Sequence, residues 1–210
     1  MADDAAFWDK HARKYAASAI GNVDAYEMTL AKTRAHLTPQ MKVIEIGAGT
    51  GSTALLLAPD VAGLTATDLS PEMMRIAQEK AVADGVNNVT FKVSSAQDAA
   101  GEVAAFDAVL AFNLLHLVPD LEGVLDTLSR NLKPGALFIS KTVCLAEPSI
   151  GVQRFAIAAM IPVMRLIGKA PFVRRLTFAE VEHCVTASGF DIIETTTGPK
   201  MSRYIAARKN

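Results

Sequence analysis

The sequence predicts an α/β protein with a mostly parallel sheet covered by helices on both faces, a doubly wound three-layer αβα sandwich. Three observations support this. Short apolar segments alternate with helical ones between residues 41 and 141, which is typical of βαβ units. A glycine-rich turn at residues 47–51 directly follows the first apolar segment. The 210 residues are enough for one domain, so we expect residues 1–210 to form a single unit.

Each element is predicted from its apolar period and its end signals. Strands are expected at residues 41–46, 62–67, 89–94, 106–112, 136–141, 190–196 and 201–208. Helices are expected at residues 5–18, 24–37, 52–58, 71–84, 120–131, 149–168 and 177–188. Asp24 is expected to cap the second helix, Ser70 to cap the fourth, and Gly85 to end it. The turn composition of residues 197–200 predicts that the last two strands pair as an antiparallel hairpin.

Composition excludes several classes of protein. Apolar residues make up 50% and charged residues 20%, which excludes a disordered chain. Lys and Arg number 21 against 22 Asp and Glu, so no basic excess indicates a nucleic-acid partner. The two cysteines lack metal-ligand spacing, and no metal site is predicted. The first residues lack the basic start of an export signal, and the apolar run 155–164 is too short to span a bilayer. We therefore expect a soluble, cytoplasmic protein.

The glycine turn and an acidic residue after it indicate a nucleoside ligand. Gly47, Gly49 and Gly51 allow backbone conformations with positive φ and let a ligand approach the chain closely. Asp68 ends the next strand, 19 residues after Gly49, where a carboxylate can accept hydrogen bonds from both ribose hydroxyls. Turn and acid together predict adenosine with a free ribose. They leave a nicotinamide dinucleotide and S-adenosylmethionine as alternatives.

Three further observations favour S-adenosylmethionine. Glu45 directs an acid at the glycine turn, where it would repel a pyrophosphate but attract the ammonium group of a methionine. No tyrosine is followed four residues later by lysine, the pair that a small dehydrogenase uses. The chain is also too short for the second half of a two-domain dehydrogenase.

The motifs also form an ordered series that carries a family resemblance. The series runs Glu45-x-Gly47-x-Gly49-x-Gly51, Asp68, Phe106-Asp107-Ala108-Val109 and Leu132-Lys133-Pro134-Gly135-Ala136. It resembles the class I S-adenosylmethionine-dependent methyltransferases, most of all small bacterial members that act on small molecules, quinones or lipids. The resemblance covers roughly residues 40–141. It implies a Rossmann-like sheet of seven strands with a terminal antiparallel strand, S-adenosylmethionine as cofactor and S-adenosylhomocysteine as product.

The resemblance also implies a role for each matching residue. Glu45 would hold the amino end of the cofactor, Asp68 its ribose, and Leu69 would pack on the adenine. The adenine edge would meet the loop after the third strand, although many relatives have Asp where this chain has Ser95, and Asp98 could substitute for it. The remaining cofactor-binding candidates are Gly47, Ala48, Gly49, Gly51, Ala96, Gln97, Asn113 after the fourth strand, and Tyr15 in an amino-terminal helix.

His116 is the candidate catalytic base. It follows the fourth strand in Asn113-Leu114-Leu115-His116, near the edge where cofactor and acceptor meet. An unperturbed imidazole pKa near 6.5 suits a base at neutral pH. A base is needed only if the acceptor begins protonated, and a structural role for His116 is the alternative.

Two segments outside the matched region are expected to cover the site. Residues 1–37 would form an amino-terminal helical lid, and residues 145–176 a helical cap inserted after the fifth strand. The cap is apolar with basic flanks, which suits a buried helix, a lid over a hydrophobic substrate, or peripheral contact with a membrane. The acceptor is thus predicted to be a small or lipid-like molecule.

Two other functions stay open at this point. One is a non-catalytic protein that binds S-adenosylmethionine, and the other is a small NAD-dependent oxidoreductase. The sequence does not name the acceptor, the atom that is methylated or the oligomeric state.

Overall fold

The structure is a computed structural model that describes residues 2–210, apart from the side chains of residues 2, 3 and 200. Its strands are β1 (Lys42–Ile46), β2 (Gly63–Asp68), β3 (Val89–Val93), β4 (Ala108–Phe112), β5 (Leu137–Val143), β6 (Phe190–Gly198) and β7 (Ser202–Lys209). Its helices are α1 (Ala2–Ala17), α2 (Val23–Arg34), α3 (Ser52–Leu57), α4 (Pro71–Ala83), α5 (Ala96–Gly101), α6 (Leu121–Asn131), α7 (Gln153–Leu166) and α8 (Phe178–Ala187).

All seven strands form one sheet in the order β3-β2-β1-β4-β5-β7-β6. The pairs among β1 to β5 are parallel. Strand β7 lies between β5 and β6 and pairs antiparallel with both. The expected mostly parallel, seven-stranded α/β sheet is confirmed, as is the terminal hairpin. The strand order reverses between β1 and β4, and in open α/β sheets ligands bind at the carboxyl ends of the strands beside such a reversal.

The sheet has an apolar core on each face. Successive strand residues point to opposite sides, so Ile44 belongs to one cluster and its neighbour Val43 to the other. The first cluster packs α5, α6 and α8 on the sheet, and the second packs α2 and α3 through Leu30 and Leu57. Helix α1 packs on α4 in a third, smaller cluster around Met73. Because β1, β2 and β4 are parallel, their carboxyl ends lie together at one end of the sheet.

Several end signals act as expected. Ser70 caps α4 by accepting a hydrogen bond from the Met73 amide at 3.1 Å, and Gly85 follows its end with φ +68°. The cap of α2 was predicted wrongly. Asn22, not Asp24, is the N-cap: its backbone is extended, and its Oδ1 accepts from the Ala25 amide at 2.9 Å, which puts Asp24 inside the first turn.

One helix was not predicted, and the bounds of several others differ from the predicted ones, those of α7 most of all. The two-turn helix α5 was not predicted, because six residues are too few for a helical period to show and, unlike the equally short α3, it does not follow a glycine turn. Helix α7 covers residues 153–166 instead of 149–168, since a 3₁₀ turn and Gly151 precede it and Gly168 follows it, both glycines with φ +67°.

Candidate active site

The glycine turn connects β1 to α3 and needs glycine for its own geometry. Gly47 has φ +71° and Gly51 has φ +73°. A Cβ on Gly47 would lie 2.7 Å from a methyl of Leu114, and a Cβ on Gly51 would lie 2.7 Å from the Ala77 Cβ. The Ala48 amide ties the turn to β2 by a 2.8 Å hydrogen bond to a carbonyl. The turn is therefore tightly packed, and the case for a ligand rests on the acids beside it.

Asp68 ends β2 and fixes the turn. Its Oδ2 accepts a hydrogen bond from the Gly49 amide at 2.9 Å, and its Oδ1 accepts one from the Ser70 amide at 2.9 Å. Only 8% of the residue is exposed, and burial raises the pKa of its carboxyl despite these amides. Each carboxylate oxygen has capacity for a further donor. Asp68 can thus offer two fixed acceptors to a ligand at the sheet edge.

Glu45 is a buried acid within β1. It is 2% exposed, and burial followed by the charge of Asp68 raises its pKa to about 8, while the Ala54 amide opposes the shift. Its Oε2 has no hydrogen-bond partner among the described residues. An unpartnered buried oxygen is costly, and a cationic donor at this position would relieve that cost. Glu45 therefore favours a cationic ligand at this position.

This raised pKa makes the stability of the ligand-free protein depend on pH. An unfolded glutamate has a pKa near 4.5, well below the folded value of about 8. Between those values the folded chain binds more protons than the unfolded chain, so the free energy of unfolding falls as the pH rises from about 5 to about 8. We expect Glu45→Gln to remove most of this fall, measured by urea unfolding at several pH values. Glu27→Gln, on the exposed side of α2, is the control. An unchanged slope in Glu45→Gln would contradict this assignment.

Two tyrosines from the amino-terminal helices reach the turn. The Tyr15 ring lies against Gly49, since a Cβ there would be 3.6 Å from its Cε1. Although 52% of Tyr15 is exposed, burial, Glu45 and Asp68 raise the pKa of its hydroxyl. The Tyr26 hydroxyl is hydrogen-bonded to Thr53 at 3.1 Å. Aromatic rings beside two acids suit a cationic ligand.

Asp9 anchors α1 beside the carboxyl end of β2. Its Oδ1 accepts hydrogen bonds from the Ser70 hydroxyl at 2.5 Å and from the Glu72 amide at 3.1 Å, at the start of α4. Trp8 packs beside the same helix. An acid at a helix N-terminus is favourable, but here it comes from a distant part of the chain. Sequence reasoning missed Asp9 because no local pattern connects it to Ser70.

The loop after β3 lies next to Asp68. Its first residue, Ser94, donates its amide to the Asp68 carbonyl at 2.9 Å. Ser95 caps α5, accepting from the Asp98 amide at 3.1 Å and donating its hydroxyl to the Asp98 carboxylate at 2.7 Å. The Gln97 amide instead donates to Thr127 of α6 at 2.9 Å. Of the remaining candidates in this region, Leu69 and Ala96 are half-buried.

Strand β4 ends in a strained residue. Asn113 has φ +54°, which is uncommon outside glycine, and its amide donates to the Lys141 carbonyl at 2.7 Å. Its side chain is exposed, whereas the next residue, Leu114, packs on Gly47. Positive φ at such positions is concentrated at functional sites, so the exposed Asn113 side chain at this edge is consistent with a role in binding.

His116 lies in a 3₁₀ turn, residues 115–117, just beyond β4. Burial lowers its pKa to about 4, well below the ordinary value, so the imidazole is neutral at pH 7. Its Nδ1 is buried and has no hydrogen-bond partner among the described residues. The His116 carbonyl accepts the Arg174 amide at 2.7 Å, which connects this turn to the segment after α7. A neutral imidazole has one nitrogen that can accept a hydrogen bond, but Nδ1 itself is closed to solvent.

An apolar cavity of about 540 Å³ lies between α7 and the segment after it. The Arg165 guanidinium lies 5.2 Å from the centre of the Phe172 ring, which borders the cavity. The Phe172 amide donates to the Asp4 carboxylate at 3.1 Å, so α1 and this segment are joined. The complete lining consists of Ile161, Pro162, Arg165, Leu166, Phe172 and Val173.

The sequence that forms this site matches a known family. Residues 43–135 match the family model described as a methyltransferase domain, and they contain the glycine turn, Asp68 and the end of β4. This match and the relatives described below support a class I S-adenosylmethionine-dependent methyltransferase. S-adenosylmethionine is the cofactor of these enzymes, and solved structures with a similar fold contain it or S-adenosylhomocysteine.

Individual relatives resemble this chain over different lengths. A ubiquinone biosynthesis O-methyltransferase of Xylella fastidiosa is 34% identical over 101 residues, which are 47% of this chain and 41% of the relative. A highly reducing polyketide synthase of Gibberella zeae is 32% identical over 133 residues, which are 58% of this chain and 5% of the relative. The match thus spans less than half the length of these curated relatives. The magnesium protoporphyrin IX methyltransferase of Synechocystis shares the fold with a TM-score of 0.74 and 19% identity, over 99% of this chain and 96% of that one.

The residues present fit the cofactor of the family. The unpartnered Glu45 oxygen can accept a hydrogen bond from an ammonium group, and the free acceptor capacity of Asp68 is suited to two hydroxyls. Within the described part of the chain, no group of three or more His, Cys, Asp or Glu could hold a metal ion.

Proposed function

We propose that this methyltransferase transfers the methyl group of S-adenosylmethionine to an apolar small molecule that enters between α1 and α7. The observation that carries the proposal is the buried, unpartnered oxygen of Glu45 beside Asp68. S-adenosylmethionine carries an ammonium group that can pair with Glu45 and a ribose whose hydroxyls can donate to Asp68. The relatives include a ubiquinone biosynthesis enzyme and a magnesium protoporphyrin IX methyltransferase, whose names also indicate small-molecule acceptors.

The proposed cofactor site uses the residues at the ends of β1, β2 and β3. Glu45 holds the ammonium group, Asp68 accepts from the ribose hydroxyls, and Leu69 packs on the adenine. Ser95, Ala96 and Asp98 contact the edge of the adenine ring. Gln97 supports their loop through its hydrogen bond to α6. Around the methionine part lie Gly47, Ala48, Gly49, Gly51, Tyr15 and Asn113.

The acceptor site is proposed to lie beneath α7. When bound, S-adenosylmethionine supplies a methyl group on a positive sulfur that is already activated for displacement, so positioning and exclusion of water carry most of the catalysis. The apolar cavity between α7 and Phe172 offers volume for a drug-sized molecule. Arg174 connects its wall to His116. An apolar acceptor held there would present its reacting atom to the end of β4.

His116 is proposed to accept a hydrogen bond from the acceptor and to take its proton if it carries one. With a pKa of about 4, the ring stays neutral from pH 6 to pH 8, so kcat should not show a titration near pH 6.5. We expect His116→Ala to lower kcat about 100-fold and to leave the Kd of S-adenosylmethionine unchanged. His183→Ala, exposed on α8, is the control. Full turnover in His116→Ala would make His116 structural.

The reaction is tested by measuring S-adenosylhomocysteine released by the purified protein in the presence of a whole-cell extract. The proposal predicts release that depends on both the extract and Asp68. Binding of S-adenosylmethionine without release in any extract would instead identify a non-catalytic binding protein. Preferred binding of NAD would favour the oxidoreductase.

A further inference from the structure

The outer face of α7 is an apolar surface with no covering element. None of the fourteen described residues of this helix is buried. Phe155, Val163 and Leu166 are 64%, 58% and 88% exposed. At about 100° per residue they share one side of the helix, an arc of about 140°, with Val152, Met160 and Ile167, which are also exposed.

The opposite face of α7 is the one that meets the protein. Ile157, Ile161 and Met164 are half-buried at helical spacing. Ile161 lines the cavity, and so does Leu166, which lies at the boundary between the two faces. The helix therefore has an apolar inner face towards the protein and an apolar outer face towards solvent. A surface helix usually places polar side chains outside, so the outer face is the unusual feature.

The segment that carries this face is strongly positive, although Arg154 and Arg165 lie on the opposite half of α7. Residues 148–179 contain no Asp or Glu, but they hold Arg154, Arg165, Lys169, Arg174 and Arg175. Arg174 is paired with Glu122 of α6, and Arg165 stacks on Phe172. The chain as a whole has a formal net charge of −1, so this concentration of basic residues is local.

The length of α7 excludes one mode of membrane contact. Fourteen residues extend about 21 Å at 1.5 Å per residue, against about 30 Å for the hydrocarbon core of a bilayer. Among the described residues there is no helix with the length and apolar character needed to cross a membrane. An apolar helix with basic flanks can instead lie in the plane of the interface.

We propose that α7 docks this protein on the surface of an anionic lipid membrane, with the outer face from Phe155 to Leu166 entering the headgroup region. Anionic lipid headgroups complement the basic residues of the segment. A second copy of the chain complements them less well, since a symmetric contact would bring the same basic groups together.

The test is flotation of the purified full chain with vesicles of phosphatidylcholine alone and of phosphatidylcholine mixed with phosphatidylglycerol. We expect binding to the anionic vesicles, weaker binding to neutral ones, and a loss of binding as salt is raised. Val163→Glu should lower the partition coefficient about tenfold or more, because a charge enters the apolar face. Lys169→Gln with Arg175→Gln should weaken binding to anionic vesicles only.

Val82→Glu is the matched control. Val82 is 78% exposed on α4, so the same change is made on a helix outside the proposed surface. Equal vesicle binding by Val163→Glu and Val82→Glu would overturn the proposal, as would failure of the wild-type chain to bind anionic vesicles. A dimer in solution that Val163→Glu dissociates, without vesicle binding, would assign this face to self-association instead. None of these outcomes depends on methyl transfer.

Discussion

Replacing Asp68 with alanine is expected to weaken binding of S-adenosylmethionine about 30-fold or more, equivalent to about 2 kcal/mol. The reason is that a carboxylate accepting from two ribose hydroxyls makes two charge-assisted hydrogen bonds, each worth about 1.5–3 kcal/mol. Burial holds this carboxylate in place, and the amides of Gly49 and Ser70 orient it. Titration calorimetry measures the change directly.

Two further variants separate binding from loop geometry. Asp68→Ala also removes the acceptor for the Gly49 amide, so the glycine turn itself could loosen. Asp68→Asn keeps one oxygen and should fall between alanine and wild type. Asp126→Ala, exposed on α6, should bind like wild type. Unchanged affinity in Asp68→Ala, with the protein folded by circular dichroism, would refute the ribose assignment.

Replacing Glu45 with glutamine is expected to lower the affinity between tenfold and 100-fold and to abolish proton release on binding. At pH 7 a carboxyl with a pKa of about 8 is mostly protonated. An ammonium group placed on its unpartnered oxygen favours the ionised form, so binding should release most of one proton in the wild-type protein. Glu45→Gln has no proton to release.

The number of protons released on binding of S-adenosylmethionine is obtained from calorimetric titrations in buffers of different ionisation enthalpy. The ligand's own amine is mostly protonated at pH 7 before it binds either protein, so the difference between them reports mainly Glu45. Glu27→Gln should release as many protons as wild type. Equal release by wild type and Glu45→Gln would show that Glu45 does not meet the cation.

The central fold was predictable because its signals are local. The glycine turn, Ser70 before Pro71 and the strand periods each lie within a few residues. The ends of elements were less predictable. Asn22 and Asp24 are both good cap residues, and only the extended backbone at Asn22 selects it. The six-residue α5 was beyond the reach of a periodicity argument.

The candidate site was predictable in type but not in its electrostatics. Glu45 was found from its position just before the glycine turn and Asp68 from its position at the end of the next strand, but burial sets their pKa values. His116 illustrates the difference: the free imidazole suits a base at neutral pH, whereas its apolar surroundings lower the pKa to about 4. Asp9 contacts Ser70 only because α1 folds onto α4, which no pattern in a single sequence encodes.

Methyl transfer to an apolar acceptor is tested most directly by following a labelled methyl group. S-adenosylmethionine labelled in the methyl is incubated with the purified protein and a cell extract, and the products are separated into organic, aqueous and macromolecular fractions. We expect Asp68-dependent label in the organic fraction, because the proposed acceptor lies in an apolar cavity beneath α7. Label confined to protein or nucleic acid, or to polar metabolites, would contradict the apolar acceptor.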